Sequence, residues 1–532
     1  MHQVTRDSAP SRGHRCLRSG FTSTCTSSSV CLARIGTSSQ SIPQVIGLES
    51  KARDILDKFI PTFRSLWNQS QPVNRLPREI LPHIAQHLLD ERAVNAKAIV
   101  PMTHVCRYWR ESIISAPAVW TLISNTQGAL MALSLARAKA ARLHVNIDMQ
   151  SFKADFGTFG LINPYLQNID SLTVSELQGI EELTRKLPNF PQSTPGLRSL
   201  TLHCAYTSPK WDPTVDPFVS LTRSLKHLSL LNVPLYPSLL NLRSLTDLSL
   251  RYHWFDVPVD ILLTFLEQNR SLEKATLDIR FTGPPLRISR RAAPIGSRLR
   301  HLSILCNNPI NAQVLVSNIA LRKGARLEIS SLDQNTGLND ILSDGSTAHL
   351  PNLSSPAFFE YHSYPRIIRS RGPNGSFSFS CLPSTGAPFE EFPSLSLTHV
   401  REFRLRHCVP PRLRSSLSPP VFNPSSFPTL ETLAVESDID LVHFFSALFS
   451  NPRSLPSLKT LAFSNCVVTE DFMGKLARFA FDRASTTSAK LHHVVIVHEA
   501  GMFPTAASIH ALGKHVPVVD VRFGSELPTD LT

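Results

Sequence analysis

One apolar motif, Leu-x-x-Leu-x-Leu, returns along most of the chain. It reads Leu197-Leu200-Leu202, Leu225-Leu228-Leu230, Leu245-Leu248-Leu250 and Leu299-Leu302-Ile304 in the first half. In the second half it reads Val400-Phe403-Leu405, Leu430-Leu433-Val435, Leu458-Leu461-Phe463 and Leu491-Val494-Ile496. Looser copies start at Ile169, Leu272 and Val516, and within each half successive starts lie 20 to 33 residues apart. The second and third apolar positions are two residues apart, so they share one face of a β-strand. A single strand cannot bury that face, but a neighbouring copy stacked on it can. Between copies, residues 258–268, 441–449 and 470–483 carry helical periodicity, with Pro258 suited to a first helical position. Parallel strands need such crossovers. The pattern therefore predicts an α/β fold of parallel strands backed by outer helices. Residues 306–399 depart from it: Arg326–Ser330, Ala357–His362 and Ser376–Cys381 look like strands amid Pro, Gly and Ser, which reads as degenerate repeats with long insertions.

Two helical patterns precede the repeats. Residues 47–72 place Leu48, Ile55, Phe59, Phe63, Leu66 and Trp67 at mostly helical spacing, an amphipathic helix interrupted near Pro61. Residues 73–124 form a compact, all-helical run. Pro77 suits a first helical turn, where its missing N–H costs nothing, and Glu79 suits the positive end of the helix dipole. Ile80, Ile84 and Leu88 then fall at i, i+4 and i+8, with Leu81 beside them. A second helix, Thr103 to Ser115, would align Val105, Trp109 and Ile113 before Pro117 ends it, and Trp120 offers an apolar anchor. A unit of about fifty residues is marginal alone and gains by packing on a partner.

Composition removes several function classes. Of 532 residues, 42% are hydrophobic and 18% charged, enough for a large core and too little charge for a mostly disordered chain. No apolar run is long enough to span a membrane. The excess of 54 basic over 41 acidic residues is scattered; even the densest group, Arg287, Arg290, Arg291, Arg298 and Arg300, sits between strand patterns and identifies no nucleic-acid reading element. Nine cysteines without a C-x-x-C pair form neither a disulfide framework nor a structural zinc pattern. The first residues lack the apolar region of a secretion signal, so cytoplasm or nucleus is expected. Segment 1–46 is rich in Ser, Thr and Arg with Asp7 its only acid; it reads as a floppy tail, although a transit peptide has similar composition. No phosphate-binding glycine loop, nucleophile elbow or H-E-x-x-H occurs. His83 and His87 have metal-ligand spacing but no third ligand, so they read as surface residues, and no metal, cofactor or catalytic group is expected.

The strand motif and its spacing resemble leucine-rich repeats. Two copies extend to Leu-x-x-Leu-x-Leu-x-x-Cys at Cys408 and Cys466, where such repeats hold an inward Asn or Cys. The compact run resembles an F-box: the family pattern matches Leu76-Pro77-Arg78-Glu79-Ile80-Leu81, Val105-Cys106-Arg107-Tyr108-Trp109-Arg110 and Pro117-Ala118-Val119-Trp120 in order and spacing. The layout is similar to the large set of F-box proteins of mushroom-forming fungi. Only Asp90–Pro101 departs, being longer than usual. The resemblance implies a domain order of tail (1–46), helix (47–72), F-box (73–124) and irregular leucine-rich repeats (125–532). It implies a substrate-receptor subunit that binds a Skp-type adaptor, and through it a cullin, by the box, and an unknown protein substrate by the repeats. Leu76, Pro77, Glu79, Ile80, Leu81, Ile84, Leu88, Val105, Cys106, Trp109, Arg110 and Trp120 would form or support the adaptor surface. A repeat scaffold outside any ligase is the alternative. Substrate would meet outward positions of the strands, among them Arg198, Lys226, Thr246, Arg300, Glu402, Arg404, Glu431, Lys459 and His492.

Overall fold

A computed structural model of the chain describes residues 42–91, 98–150, 156–178, 180–187, 190, 194–205, 216, 218, 224–280, 298–332, 338–342, 350, 353, 355–363, 366–381, 397–407, 422–437, 441–486, 490–498 and 504–523. The chain divides into two compact units, Met1–Arg75 and Leu76–Thr532. In the first, α1 (Ile42–Ser70) is followed by a 3-10 turn at Pro72–Arg75. The helix begins five residues inside the segment expected to be tail; the rest of the tail lies outside the described residues. The expected interruption at Pro61 is absent, because α1 runs through it. Proline removes one donor, but here every surrounding residue is exposed, so water can serve the freed carbonyl. Thr62 Oγ1 adds a 3.1 Å bond to the Lys58 carbonyl beside it. Leu48, Ile55, Phe59, Phe63, Leu66 and Trp67 are all exposed.

The second unit opens with α2 (Ile80–Glu91), α3 (Val100–Thr103) and α4 (Arg107–Ile114), and a 3-10 turn at Pro117–Trp120. Three expectations are corrected here. Pro77 lies in the turn before α2, not in its first turn, and its carbonyl accepts from the Ile80 N–H. The single helix from Thr103 to Ser115 is two helices, because Cys106 is fully extended (φ −158, ψ 173) and restarts the chain as α4. The run is also not all-helical to its end: β1 (Leu122–Ser124) pairs in parallel with β2 (Leu143–Asp148), with α5 (Ala129–Ala138) between them. Segment 76–124 thus shares one continuous core with everything that follows, from Ala85 to Val516.

From β2 the sheet grows one parallel strand per repeat: β3 (Ile169–Leu177), β4 (Ser199–Cys204), β5 (His227–Leu231), β6 (Asp247–Asp256), β7 (Lys274–Arg280), β8 (His301–Cys306) and β9 (Ala325–Ser331). Parallel growth resumes at β13 (Glu402–His407), β14 (Thr432–Ser437), β15 (Thr460–Ser464), β16 (His493–His498) and β17 (Val518–Phe523). Each motif copy lands on one of these strands, and corresponding leucines pair: Leu200 with Leu228, Leu228 with Leu248, Leu433 with Leu461.

Within 306–399 all three strand-like pieces are strands, and the first, on β9, continues the parallel run; after it the expected degenerate repeats give way to an antiparallel meander. After β9 the chain crosses to β10 (Phe358–Ser363), which pairs with β13, returns as β11 (Arg366–Gly372), and turns into β12 (Gly375–Cys381), which pairs with β9. The spatial order is therefore β9-β12-β11-β10-β13. The tight turn after β11 needs glycine on both sides. A side chain at Gly375 (φ 129) would strike the Ala325 backbone, and one at Gly372 the Ser355 carbonyl. Helices flank one face of the sheet, among them Val259–Gln268, Pro309–Asn318 and Glu470–Thr486. Pro258 caps the first of these instead of occupying its first position.

Candidate functional sites

Two surfaces emerge. In segment 76–120, α2 packs on α4 and on the Pro117–Trp120 turn. Leu81, Ala85 and Leu89 are the buried stripe, one position from the stripe expected; Ile80 and Ile84 are exposed and Leu88 is half-buried. A helix attached to a large core buries whichever stripe meets it, and periodicity alone leaves the phase open between adjacent residues. Pro77, Glu79 and Arg110 are exposed, and so is Val105, which falls outside both helices. Trp109 and Ile113 face the core, as does Trp120, whose indole N–H donates to the Ile113 carbonyl at 2.9 Å with Arg137 stacked 4.4 Å from the ring. Cys106 is half-buried at the start of α4, and Arg110 Nε donates to the Thr103 carbonyl at 2.8 Å, closing the α3–α4 corner. The expected residues thus divide into an exposed set and a supporting set.

A residue absent from that set, Tyr108, donates its hydroxyl to the Leu76 carbonyl at 2.5 Å and so fixes the entry into α2. Its signal was only a polar aromatic one residue before Trp109. At the same end, Arg107 Nε donates to Glu111 at 2.7 Å and holds that carboxyl below its ordinary range, with Arg78 at 3.9 Å.

The second surface is the sheet face opposite the main core. Strand registers align its central positions in one row: Thr173, Thr201, Ser229, Ser249, Thr276 and Ser303, then Glu328, Ser378, Arg369, Glu360 and Arg404, then Ala434, Ala462 and Val495. Hydroxyls occupy the first stretch, charges interrupted only by Ser378 the second, and small apolar groups the third. Arg198, Lys226, Thr246, Arg300, Glu431, Lys459 and His492 sit one residue ahead of their strands, at the rim of this face. There they pair between repeats, as Arg300 does with Glu273 (3.6 Å) and Lys459 with Glu431 (2.7 Å). Glu402 and Arg404 do belong to the face itself.

Within the charged stretch Glu360 is buried, whereas its neighbour Arg369 is exposed. Burial pushes the Glu360 carboxyl up, but His362, Arg406 and Arg369 around it outweigh that and hold it at about 2. His362 Nε2 lies 3.3 Å away, and Arg406 and Arg369 each 3.2 Å. Phe358, Glu360 and Arg371 lie on the meander, and the repeat motif gives no sign of them.

Among the described residues no group of His, Cys, Asp and Glu is arranged to hold a metal, and no helix is long and apolar enough to cross a membrane. Cys466 turns its thiol to the Val435 carbonyl of the preceding strand at 3.3 Å, while Cys408 lies outside the described residues. No family model matches this chain, and no curated protein matches it.

Proposed function

We propose that the chain is the substrate-receptor subunit of a Skp–cullin–F-box ubiquitin ligase. In this reading residues 76–120 are an F-box that docks on a Skp-type adaptor, and through it on a cullin. The strands are leucine-rich repeats whose open face holds a protein substrate. One observation carries the reading. Within the stretch that resembles an F-box, α2 buries Leu81, Ala85 and Leu89 yet leaves Ile80 and Ile84 exposed, as are Pro77 and Val105. Apolar surface left in water on a well-anchored helix is surface that a partner can cover with gain. Such a receptor needs no catalytic group, since it acts by raising the effective concentration of a substrate lysine near the charged enzyme.

The test is capture of a Skp-type adaptor by the full chain, repeated with Ile80→Glu and Ile84→Glu together. Both positions are exposed, so the variant is expected to keep its melting temperature while capture falls roughly tenfold or more. Undiminished capture by the folded variant, or none by the unaltered chain, would sink the proposal.

A further inference from the structure

Where the sheet reverses direction, its open face carries a cleft of about 830 Å³. It crosses β9, β12, β11, β10 and β13, which at a strand spacing of about 4.8 Å spans about 19 Å, the length of roughly six extended residues. Four arginines line it (Arg326, Arg369, Arg371, Arg404) against three acids (Glu328, Glu360, Glu402), a net charge of 4 − 3 = +1. Each acid is matched: Glu328 by Arg326, Glu402 by Arg404 at 2.6 Å, and Glu360 by Arg369 at 3.2 Å with His362 and Arg406 beyond. Arg371 differs. It is exposed, its guanidinium stands 5.0 Å from the Phe358 ring centre, and among the described residues no acid pairs with it. Arg404 approaches the same ring at 5.6 Å, so Phe358 is held as a platform between two cations.

We propose that this cleft binds an extended acidic peptide, with one anionic side chain, carboxylate or phosphate, held by Arg371 and a neighbouring residue resting on Phe358. The excess cation meets the anion, and the planar guanidinium, already stacked, loses little freedom in forming a two-pronged contact. Because the other charges of the cleft are already paired, they hold its shape and disfavour a basic peptide in Arg371's place. The inference rests on the proposed function only in taking the partner to be a protein.

The experiment uses the full chain and short labelled peptides of one Gly/Ser/Ala frame carrying Glu, phosphoserine or Lys at alternate positions, read by fluorescence anisotropy. The Glu or the phosphoserine peptide, or both, should bind and the Lys peptide should not; which of the first two binds identifies the anion. Arg371→Gln should weaken binding roughly tenfold or more, and Arg371→Lys less, since charge survives and the planar contact does not. Equal binding of all three peptides, binding of none, or unchanged affinity in Arg371→Gln overturns the proposal. Adaptor capture by Arg371→Gln should stay at the level of the unaltered chain, so a failure here is distinct from a failure of adaptor docking.

Discussion

The two parallel runs of the sheet, β3–β8 and β13–β17, share a topology and a register, but their interiors are built differently. In the first run the buried positions are mostly leucines, among them Leu200, Leu202, Leu228, Leu230, Leu248 and Leu250. Each packs chiefly on its own kind in the next repeat. In the second run the aliphatic motif positions are joined by an aromatic cluster. Phe445 meets Phe444 at 4.8 Å between ring centres, Phe463 at 5.8 Å and Phe472 at 6.1 Å, and the cluster continues through Phe449 to Phe479 at 5.9 Å. These rings come from β15, from the helix Glu470–Thr486 and from helical residues 441–450, so one side chain couples several elements. A leucine ladder transmits a defect to its neighbours; an interlocked aromatic cluster shares it across the whole end of the array. The open faces differ in parallel, with a hydroxyl row over the leucines and the buried cluster Ala434, Ala462, Val495 and Val497 over the phenylalanines.

The sharpest way to break this contrast is to place one charge in each interior. Leu461 and Leu248 are 1% and 2% exposed and occupy equivalent motif positions. Aspartate at either site leaves a buried charge without a partner and should cost several kcal/mol. Leu461→Asp should open residues 397–523 to protease as a block, whereas Leu248→Asp should open only the repeats beside β6. Equally wide cleavage in both variants, mapped by mass spectrometry, would show that the two runs are coupled to the same extent.

A smaller effect isolates one device of the aromatic half. Arg483 is fully buried, and its guanidinium donates to the carbonyls of Pro452 (2.9 Å), Leu455 (2.9 Å) and Leu458 (3.1 Å) while standing 5.5 Å from the Phe479 ring. It ties the loop before β15 to the helix Glu470–Thr486. Burial lowers its pKa from the ordinary arginine value. Arg483→Met keeps much of the length and strands three carbonyls, for an expected loss of about 3 kcal/mol. A loss under about 1 kcal/mol in urea titration would assign the stability of that loop to the rings alone.

Much of this was legible in the sequence, for reasons particular residues make plain. The strands of both runs follow from period-two leucines at a near-constant spacing, because a stacked strand has no other way to bury them. The meander was not, since strand-like pieces in isolation carry no direction. Its one local sign is Pro373-Asn374 between Gly372 and Gly375, flanked by the alternating Ile368-Arg369-Ser370-Arg371 and Ser376-Phe377-Ser378-Phe379, a hairpin signal. Which way α2 faces was hidden for a different reason. Ile80, Leu81, Ile84, Ala85, Leu88 and Leu89 contain two apolar stripes, and only the core beyond decides between them. Arg483 gave no sign, because a lone basic residue in a helix usually points to water.

The leucine half has its own device, and it yields the smallest and most exact test. The residue just before the first leucine of a repeat is Ser224, Ser244 or Ser271. Its hydroxyl donates to the carbonyl of the first leucine one repeat earlier: Leu197 at 3.0 Å, Leu225 at 2.7 Å and Leu245 at 2.8 Å. Thr429 has a related contact in the aromatic half, its hydroxyl lying 3.2 Å from the Val400 carbonyl and closer, at 2.6 Å, to that of Thr398. Each bond adds a directional link between two repeats to the strand pairing, the apolar contacts and the rim pairs such as His227–Asp247 (2.9 Å). Removing one hydroxyl should cost about 1 kcal/mol, because the partner carbonyl is left behind partly buried. The hydroxyl row on the open face supplies the control. Ser249 lies in that row, two residues into β6, and Ser249→Ala should change stability by less than about 0.5 kcal/mol. Ser244→Ala should lower the urea midpoint with the slope unchanged, which is the signature of a lost contact without a change in exposed surface. If the two alanine variants are equally stable, the hydroxyls before the leucines are not what holds one repeat to the next, and leucine packing alone accounts for the first run.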